Sequence, residues 1–159
     1  MLRETIINIR PANITEDTLI ARHFYQMWRD NNRPPDSIQS NWLEITLKFI
    51  YQARQDLYYQ AFIAEADSQI VGSVSCQLFA GLYPDIIVES YRKYGYIWGV
   101  YVEPEYRCQG IGKKLTLEAI AYLKQLACTR VILNASPSGQ SVYTNLGFQP
   151  SNAMEFDLI

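Results

Sequence analysis

Residues 97–127 read IWGVYVEPEYRCQGIGKKLTLEAIAYLKQLA, and this stretch predicts a strand, a glycine turn and a helix in that order. Residues 97–102 are aromatic and β-branched, which favours a strand, and Pro104 ends it because proline cannot donate a ladder hydrogen bond. Gly110 and Gly112 then form the turn. A helix is predicted to follow, because apolar residues recur at helical spacing on one face: Leu115, Ile120, Leu123 and Ala127.

The glycine turn is typical of a loop that binds a phosphate group. A helix that begins at such a turn leaves backbone N–H groups unpaired and carries roughly half a positive charge at its N-terminus. Two common nucleotide loops do not fit the spacing. A triphosphate loop needs glycine where Arg107 stands and Ser or Thr where Lys114 stands, and a dinucleotide loop needs a third glycine at Leu115.

The remaining pattern, Arg107-x-x-Gly110-x-Gly112, resembles the acetyl-coenzyme A (acetyl-CoA) loop of the GNAT superfamily of N-acetyltransferases. In that superfamily the loop follows a strand and opens a helix, as predicted here. The resemblance is strongest over residues 97–159 and weaker over residues 59–79. Before residue 59 it rests on the pattern of elements alone.

A second match lies downstream, where GNAT proteins commonly have a short helix that ends in Tyr-x-x-x-Gly-Phe. Here these residues are Tyr143, Gly147 and Phe148. One branch of the superfamily places an Ala-Ser pair and then a glycine before the tyrosine, matched by Ser136 and Gly139. Many other members carry an asparagine in place of Ser136, and serine is shorter.

The resemblance implies a fold, and the order of the predicted elements agrees with it. We expect an α/β fold of the α+β type, with a central mixed, mostly antiparallel sheet flanked by helices on both faces. We expect a single N-acetyltransferase domain over residues 1–159. Strands are predicted at residues 5–10, 59–65, 70–79, 97–102 and 129–134, with a closing pair at 148–150 and 154–159. Helices are predicted from a capping box at Asn13 and Glu16 to about residue 31, and at residues 41–55, 111–127 and 138–146.

The resemblance also implies how acetyl-CoA binds. Backbone N–H groups of residues 108–113 hold the pyrophosphate, with Arg107, Lys113 or Lys114 adding charge. The pantetheine arm pairs with residues 100–102 as an extra strand would, and a backbone N–H there faces the thioester carbonyl. The complete set of predicted acetyl-CoA-binding residues is Val100, Tyr101, Val102, Arg107, Cys108, Gln109, Gly110, Ile111, Gly112, Lys113, Asn134, Ser136, Gly139 and Tyr143.

Tyr143 is the predicted catalytic residue, since it matches the tyrosine that often acts as general acid in the superfamily. A phenol with a pKa near ~10 is a suitable proton donor to a thiolate whose conjugate acid has a pKa near ~8.5. The alternative interpretation is a core aromatic side chain with a buried hydroxyl.

No general base is evident for the acceptor amine. Many members carry a carboxylate on the strand before the loop, but Trp98 and Gly99 stand there and neither can act as a base. Glu103, Asp85 and Glu89 are candidates, as is a chain of water molecules. The last two lie in residues 81–95, a long connection that predicts a short helix or turn over residues 86–91. Its carboxylates and tyrosines would suit an amine acceptor, and the alternative is a set of solvated charges and rim aromatics.

Composition excludes several classes of function. The net charge of −2 predicts neither a nucleic acid nor a membrane surface as a partner. Three scattered cysteines and one histidine, His23, make a Cys/His metal cage or a Ser-His-Asp triad improbable, so no metal is expected. No apolar run approaches the ~20 residues of a membrane span, and no signal pattern opens the chain. We therefore expect a protein of the reducing cytoplasm, in which His23 is a structural side chain.

The resemblance implies an N-acetyltransferase that uses acetyl-CoA as co-substrate and a small-molecule or peptide amine as acceptor. Direct attack in a ternary complex is the expected route. A homodimer is consistent with it, since dimers are common in the superfamily. Two alternatives are a non-catalytic acyl-CoA-binding module, favoured by the missing strand carboxylate, and an interaction domain with an empty groove.

Overall fold

A five-stranded sheet forms the centre of the fold, which is described for residues 4–159 in a computed structural model. The strands lie side by side in chain order: β1 (Ile7–Pro11), β2 (Gln60–Ala66), β3 (Gln69–Leu78), β4 (Tyr94–Val102) and β5 (Arg130–Leu133). Every neighbouring pair is antiparallel except β4 and β5, which are parallel. The predicted mixed, mostly antiparallel sheet is therefore confirmed.

Helices cover both faces of the sheet: α1 (Asp17–Asp30), α2 (Trp42–Asp56), α3 (Ile111–Gln125) and the short α4 (Gln140–Asn145). Alternation along β2 divides the core in two. Phe62 and Ala64 pack in the cluster that contains α3, whereas Ala61 and Ile63 pack in the cluster that contains α1 and α2. Side chains of successive strand residues point to opposite faces, so one strand contributes to both layers. The prediction of helices on both faces is confirmed.

One ion pair ties the start of the first helical segment to the sheet, and a second joins α1 to α2. Glu16 accepts a hydrogen bond from the backbone amide of Asn13 at 3.0 Å, as the predicted capping box requires, and also pairs with Arg10 at 2.8 Å. Ile14–Glu16 forms a 3₁₀ turn, so the α-helix itself begins one turn later than predicted. Arg54 of α2 pairs with Asp17 of α1 through two bonds of 2.8 Å.

The predicted closing strands at residues 148–150 and 154–159 are wrong. Residues 146–159 contain no strand, and Met154, Phe156 and Leu158 are 95%, 87% and 89% exposed. The backbone amide of Phe148 is used to end α4, where it donates to Tyr143 at 3.0 Å. Pro150 has no amide to donate to a ladder. Alternating apolar residues favour a strand, but a strand also needs a neighbouring strand to pair with, and the pattern does not reveal whether one is present.

The connection between β3 and β4 contains a turn at residues 88–91 and no helix. Its charges are paired with one another, because Asp85 lies 3.4 Å from Arg92 and Glu89 lies 3.0 Å from Lys93. Across residues 4–159, every helix is too short or too polar to cross a membrane.

Candidate functional site

A bulge at Gly99 interrupts β4 and organises the site. On β3 the partners Ser73 and Ser75 are two residues apart, but their partners on β4, Tyr101 and Trp98, are three apart. The extra residue is accommodated by Gly99, whose φ of +65° lies in the left-handed region that favours glycine. The bulge shifts the alternation of side chains between the two faces of the sheet by one residue. The side chains after Gly99 therefore point to the opposite face from the one that an unbroken strand would give.

The two faces of β4 differ as a result. Ile97 and Val100, three residues apart, both pack on the α3 side of the sheet. Trp98 packs in the cluster on the α1 and α2 side, and the Tyr101 ring lies 4.7 Å from the ring of His23 on α1, tilted by 36°. The bulge therefore lies between an aliphatic face and an aromatic face.

The second half of β4 has an open edge. Pairing with β5 starts at Tyr94 with Arg130 and ends at Ile97 with Leu133. Beyond that point, within the described part of the chain, residues 98–102 have no strand partner on the β5 side. Their backbone N–H and C=O groups on that side are available to an extended ligand that carries amides of its own.

The loop after β4 leads into the N-terminus of α3 with unusual backbone angles. Cys108 has φ +60° and Gly110 has φ +80°, and left-handed angles at a residue other than glycine cost of order 1–3 kcal/mol and cluster at ligand sites. The helix begins at Ile111 with no side-chain cap and no acidic residue in its first turn. Instead Lys113 and Lys114 are exposed there, where they repel the helix dipole. An anion bound at the unpaired N–H groups would offset that repulsion.

Arg107 is held by the protein. Its guanidinium pairs with Asp30 of α1 at 2.7 Å, donates from Nε to the Val102 carbonyl at 2.8 Å and lies over the Tyr101 ring at 5.5 Å. The hydrogen bond to Asp30 raises the pKa of Arg107. Arg107 thus fastens the loop to α1, and its charge is neutralised before any ligand arrives.

The second predicted group of site residues follows β5. Asn134 donates to the hydroxyl of Tyr96 on β4 at 2.9 Å, which links the two strands where they separate. Ser136 lies 3.2 Å from Ser138, between their hydroxyl oxygens. A Cβ on Gly139 would lie 3.1 Å from the Tyr143 ring, so glycine permits that close approach.

Tyr143 is half-buried on α4, and its ring packs edge-on against Phe148 at 5.9 Å. Within residues 4–159 its hydroxyl has no hydrogen-bond partner, yet no buried side-chain oxygen is left unsatisfied, so the hydroxyl reaches solvent. Burial of the ring raises the pKa of Tyr143. The phenol therefore stays protonated at neutral pH and has a free proton to donate.

His23 forms a contact chain that the sequence pattern did not reveal. Its Nδ1 lies 2.7 Å from the Ser73 hydroxyl and its Nε2 lies 3.5 Å from the Glu103 carboxylate, which also accepts from Tyr101 at 3.3 Å. Burial lowers the pKa of His23 to about 4, so the imidazole is neutral at pH 7 and we assign its proton to Nε2. Ser73 is 1% exposed, so it cannot serve as a nucleophile. His23 is thus buried and hydrogen-bonded, as is expected of a structural side chain.

The profile of the acetyltransferase (GNAT) family matches residues 14–148, which span the strand, the loop, α3 and Tyr143. The chain belongs to the GNAT acetyltransferase family. It is an acyltransferase that depends on acetyl-CoA. The resemblance seen in the loop and tyrosine patterns is thereby confirmed.

Several relatives show how widely this GNAT acetyltransferase shares its fold. A glucosamine 6-phosphate N-acetyltransferase from Trypanosoma brucei brucei is 29% identical over 146 residues, covering 91% of this chain and 93% of the relative. A predicted acetyltransferase from Clostridium acetobutylicum, solved with acetyl-CoA, has a TM-score of 0.80 at 24% identity, covering 96% of this chain and 97% of that one. An aminoglycoside N-acetyltransferase solved with CoA has a TM-score of 0.70 at 22% identity, covering 99% and 97%.

This GNAT acetyltransferase has no carboxylate on the β4 bulge. Trp98 and Gly99 occupy the position, as the sequence shows, and the carboxylates suggested as replacements have other partners. Asp85 and Glu89 are paired within their own loop, and Glu103 contacts His23 and Tyr101. Among residues 4–159 no three His, Cys, Asp or Glu side chains are grouped as metal ligands would be.

Proposed function

We propose that residues 1–159 form one N-acetyltransferase domain that transfers the acetyl group of acetyl-CoA to the amine of a small molecule or peptide. Acetyl-CoA supplies an activated thioester, which the amine attacks directly in a ternary complex. The observation that carries the proposal is the open edge of β4 between the Gly99 bulge and the N-terminus of α3. It offers strand-like pairing for an amide-bearing arm and an anion site at its far end.

The loop and the start of α3 hold the pyrophosphate in this proposal. The donors are backbone N–H groups of residues 108–113, including Gln109 and the first residues of α3, Ile111 and Gly112. Lys113 adds charge from the first turn. Arg107 acts indirectly, because its bonds to Asp30 and Val102 hold the loop in place.

The bulge positions the reacting carbonyl. Val100, Tyr101 and Val102 present the backbone groups of the open edge, and an N–H next to the bulge would face the carbonyl oxygen as negative charge develops on it. Asn134, Ser136 and Gly139 line the opposite side, where β5 ends and α4 begins. A preorganised backbone donor of this kind contributes roughly 10²–10³ to the rate in other acyl transfers.

Tyr143 protonates the departing sulfur. Its hydroxyl has no hydrogen-bond partner among residues 4–159 and its pKa is raised by burial, so the proton is present through neutral pH. The acceptor nitrogen forms a C–N bond to the acetyl carbon as the C–S bond breaks. The proton from Tyr143 goes to the thiolate and the amine proton passes to water, from which the Tyr143 phenolate then regains a proton.

Acetyl-CoA should raise the melting temperature of the protein. At a concentration 100-fold above Kd, binding to the folded state adds about 2.7 kcal/mol, which corresponds to roughly 5–10 °C for a domain of this size. Differential scanning fluorimetry measures the shift, and pantetheine, which lacks the pyrophosphate, serves as the control. We expect CoA and acetyl-CoA to shift the midpoint far more than pantetheine. No shift with acetyl-CoA at millimolar concentration would contradict the proposal.

We further propose that two copies form a homodimer through residues 154–159. These residues alternate apolar and acidic side chains, and Met154, Phe156 and Leu158 are almost fully exposed. The outer edge of β5 has no partner strand within residues 4–159. A strand from a second copy would pair with that edge and bury the three apolar side chains, and the reciprocal exchange would close a two-fold dimer.

The substitution Phe156→Asp should convert the dimer to a monomer, because it places a charge in the buried row of the added strand. Light scattering coupled to size-exclusion chromatography measures the mass. Ile86→Asp is the matched control, since Ile86 is equally exposed (88%) but lies in the β3–β4 connection. A monomeric parent protein, or a Phe156→Asp variant that stays dimeric, would show that this surface is not the interface.

We place the enzyme in the cytoplasm. Cys76, Cys108 and Cys128 are all free thiols, and a reducing compartment keeps cysteines in that state. Cys108 is exposed in the proposed pyrophosphate loop, where oxidation would interfere with ligand binding.

A further inference from the structure

Four aromatic side chains, which we call the aromatic wall, cover the β4 bulge on its α1 and α2 side: Phe24, Trp28, Phe49 and Trp98. Trp98 is at the centre, with Phe24 edge-on at 5.1 Å and Phe49 edge-on at 5.5 Å. Trp28 extends the wall from Phe24 at 6.3 Å. Three secondary-structure elements thus contribute rings to one surface.

The aromatic wall begins at the bulge and continues to solvent. The Phe24 ring lies 3.8 Å from the position that a Cβ on Gly99 would take. At the outer end Trp28 is 40% exposed and Phe49 is 51% exposed. A contiguous exposed patch of apolar side chains, unlike a single exposed one, commonly marks a ligand or partner surface.

The wall presents little polarity to a ligand. The indole N–H of Trp98 donates to the buried Gln77 side chain at 3.0 Å, so its single polar atom is used inside the protein. The rings of Phe24 and Phe49 have no polar atoms, so the indole N–H of Trp28 is the polar group of the wall at its outer end. One face of Trp28 is covered by the guanidinium of Arg33 at 5.6 Å.

Both carboxylates of α1 are already neutralised. Asp17 pairs with Arg54 and Asp30 pairs with Arg107. A polycationic acceptor would need unpaired carboxylates, which these two residues do not provide. An apolar group would need only the rings.

The wall lies where an acceptor must approach. The other face of β4 at the bulge is filled by α3, against which Val100 and Val102 pack. An amine that reaches the open edge beside Gly99 therefore passes over Trp98. The surface that it crosses is the aromatic wall.

We propose that the aromatic wall is the acceptor subsite and that it selects a primary amine carried on an aryl or branched aliphatic group. The inference rests on the proposed acetyl transfer and names the class of acceptor. Aryl groups pack edge-on or offset against such rings, and burial of an apolar substituent is favourable in itself.

The same wall accounts for a site without a general base. Apolar surroundings disfavour the charged form of an amine and so lower the pKa of a bound ammonium group. The acceptor then loses its proton to water on binding, and the neutral nitrogen attacks. An apolar acceptor has few polar groups to desolvate. For a polycation or a phosphosugar, the free-energy cost of removing water from its charges exceeds the gain from contact with the aromatic rings.

A thiol-release assay with acetyl-CoA tests the inference. We expect kcat/KM for 2-phenylethylamine and 3-methylbutylamine to exceed that for kanamycin and glucosamine 6-phosphate by at least about ten-fold. Phe49→Ala should raise KM for 2-phenylethylamine about ten-fold, because it removes a ring that would contact the acceptor. KM for acetyl-CoA should stay unchanged, because the half-exposed ring can be removed without disturbing the rest of the fold. Trp28→Ala is a second variant, so the test does not depend on one substitution. Tyr51→Ala, on the same helix as Phe49 and 62% exposed, is the matched control with no expected effect.

The outcomes separate the inference from the proposed function. Preferred acetylation of kanamycin or glucosamine 6-phosphate, or unchanged KM values in both wall variants, would overturn the apolar acceptor class while acetyl transfer stands. Binding of acetyl-CoA with transfer to none of these amines would also overturn that class. Failure to bind acetyl-CoA at all would overturn the transferase and the subsite together.

Discussion

Replacing Tyr143 with phenylalanine should lower kcat about 100-fold or more, the usual contribution of a general acid. The substitution removes only the hydroxyl, which has no partner within residues 4–159, and keeps the ring that packs against Phe148 and Gly139. Neither folding nor acetyl-CoA affinity should therefore change by more than about two-fold, since no protein hydrogen bond is lost. Steady-state kinetics and calorimetric binding of acetyl-CoA measure the two effects separately.

The pH dependence sharpens this test. A general acid must be protonated, and burial raises the pKa of Tyr143 above its ordinary value near ~10. Parent kcat should then show no decline with rising pH between neutrality and about pH 9. Tyr58→Phe, at a tyrosine that is 63% exposed outside the site, is the control. Undiminished turnover in Tyr143→Phe would remove Tyr143 from the mechanism.

Replacing Gly110 with valine should weaken acetyl-CoA binding about 100-fold, because a branched side chain separates the pyrophosphate from the backbone N–H groups that bind it. Loss of one or two charge-assisted hydrogen bonds, each worth about 1.5–3 kcal/mol, corresponds to a change of that size. Gly110 also has φ +80°, where valine is strained, so stability should fall by about 1–3 kcal/mol as well.

A matched glycine separates affinity from strain. Gly81 has φ +87° and lies in the β3–β4 connection, at the opposite end of β4 from the proposed pyrophosphate loop. Gly81→Val should therefore carry a similar backbone penalty with no loss of acetyl-CoA affinity. Calorimetric titration of both variants, with thermal melting as the stability measurement, gives the comparison. Equal affinities for Gly110→Val and the parent would mean that the phosphates bind elsewhere.

The sequence pattern was sufficient for the parts of the fold whose causes are local. The predicted helices and the strands that match β1, β2, β3 and β5 agree with the structure to within a few residues, because apolar spacing and turn residues act over short distances. β4 starts three residues earlier than predicted, at Tyr94. Gly95 weakens the strand pattern there, yet a Cβ at that position would lie 2.7 Å from Leu123, so glycine is required by packing against α3.

The features that escaped prediction depend on residues far apart in the chain. The bond between Arg107 and Asp30 joins positions separated by 77 residues, and no spacing rule connects them. The His23 contacts with Ser73 and Glu103 are of the same kind. The aromatic wall likewise combines three elements. The closing strands are a different kind of error, since residues 154–159 alternate as a strand does but have no partner strand within residues 4–159.

The proposed site can be located from the sequence because the contacts proposed for the ligand depend on backbone geometry. Glycine spacing before a helix indicates where N–H groups are free, and Gly110 and Gly112 lie at the start of α3 as predicted. Arg107 shows the limit of that reasoning. Its side chain was assigned to charge stabilisation from the pattern, whereas its bonds in the structure go to the protein.

Mass spectrometry of an amine acceptor after incubation with acetyl-CoA labelled in the acetyl group tests the central claim most directly. We predict an acceptor that gains one labelled acetyl group for each free CoA thiol released, with both products depleted about 100-fold or more by Tyr143→Phe. Thiol release without labelled amine would mean hydrolysis of the thioester in place of transfer to an amine, and it would contradict the account.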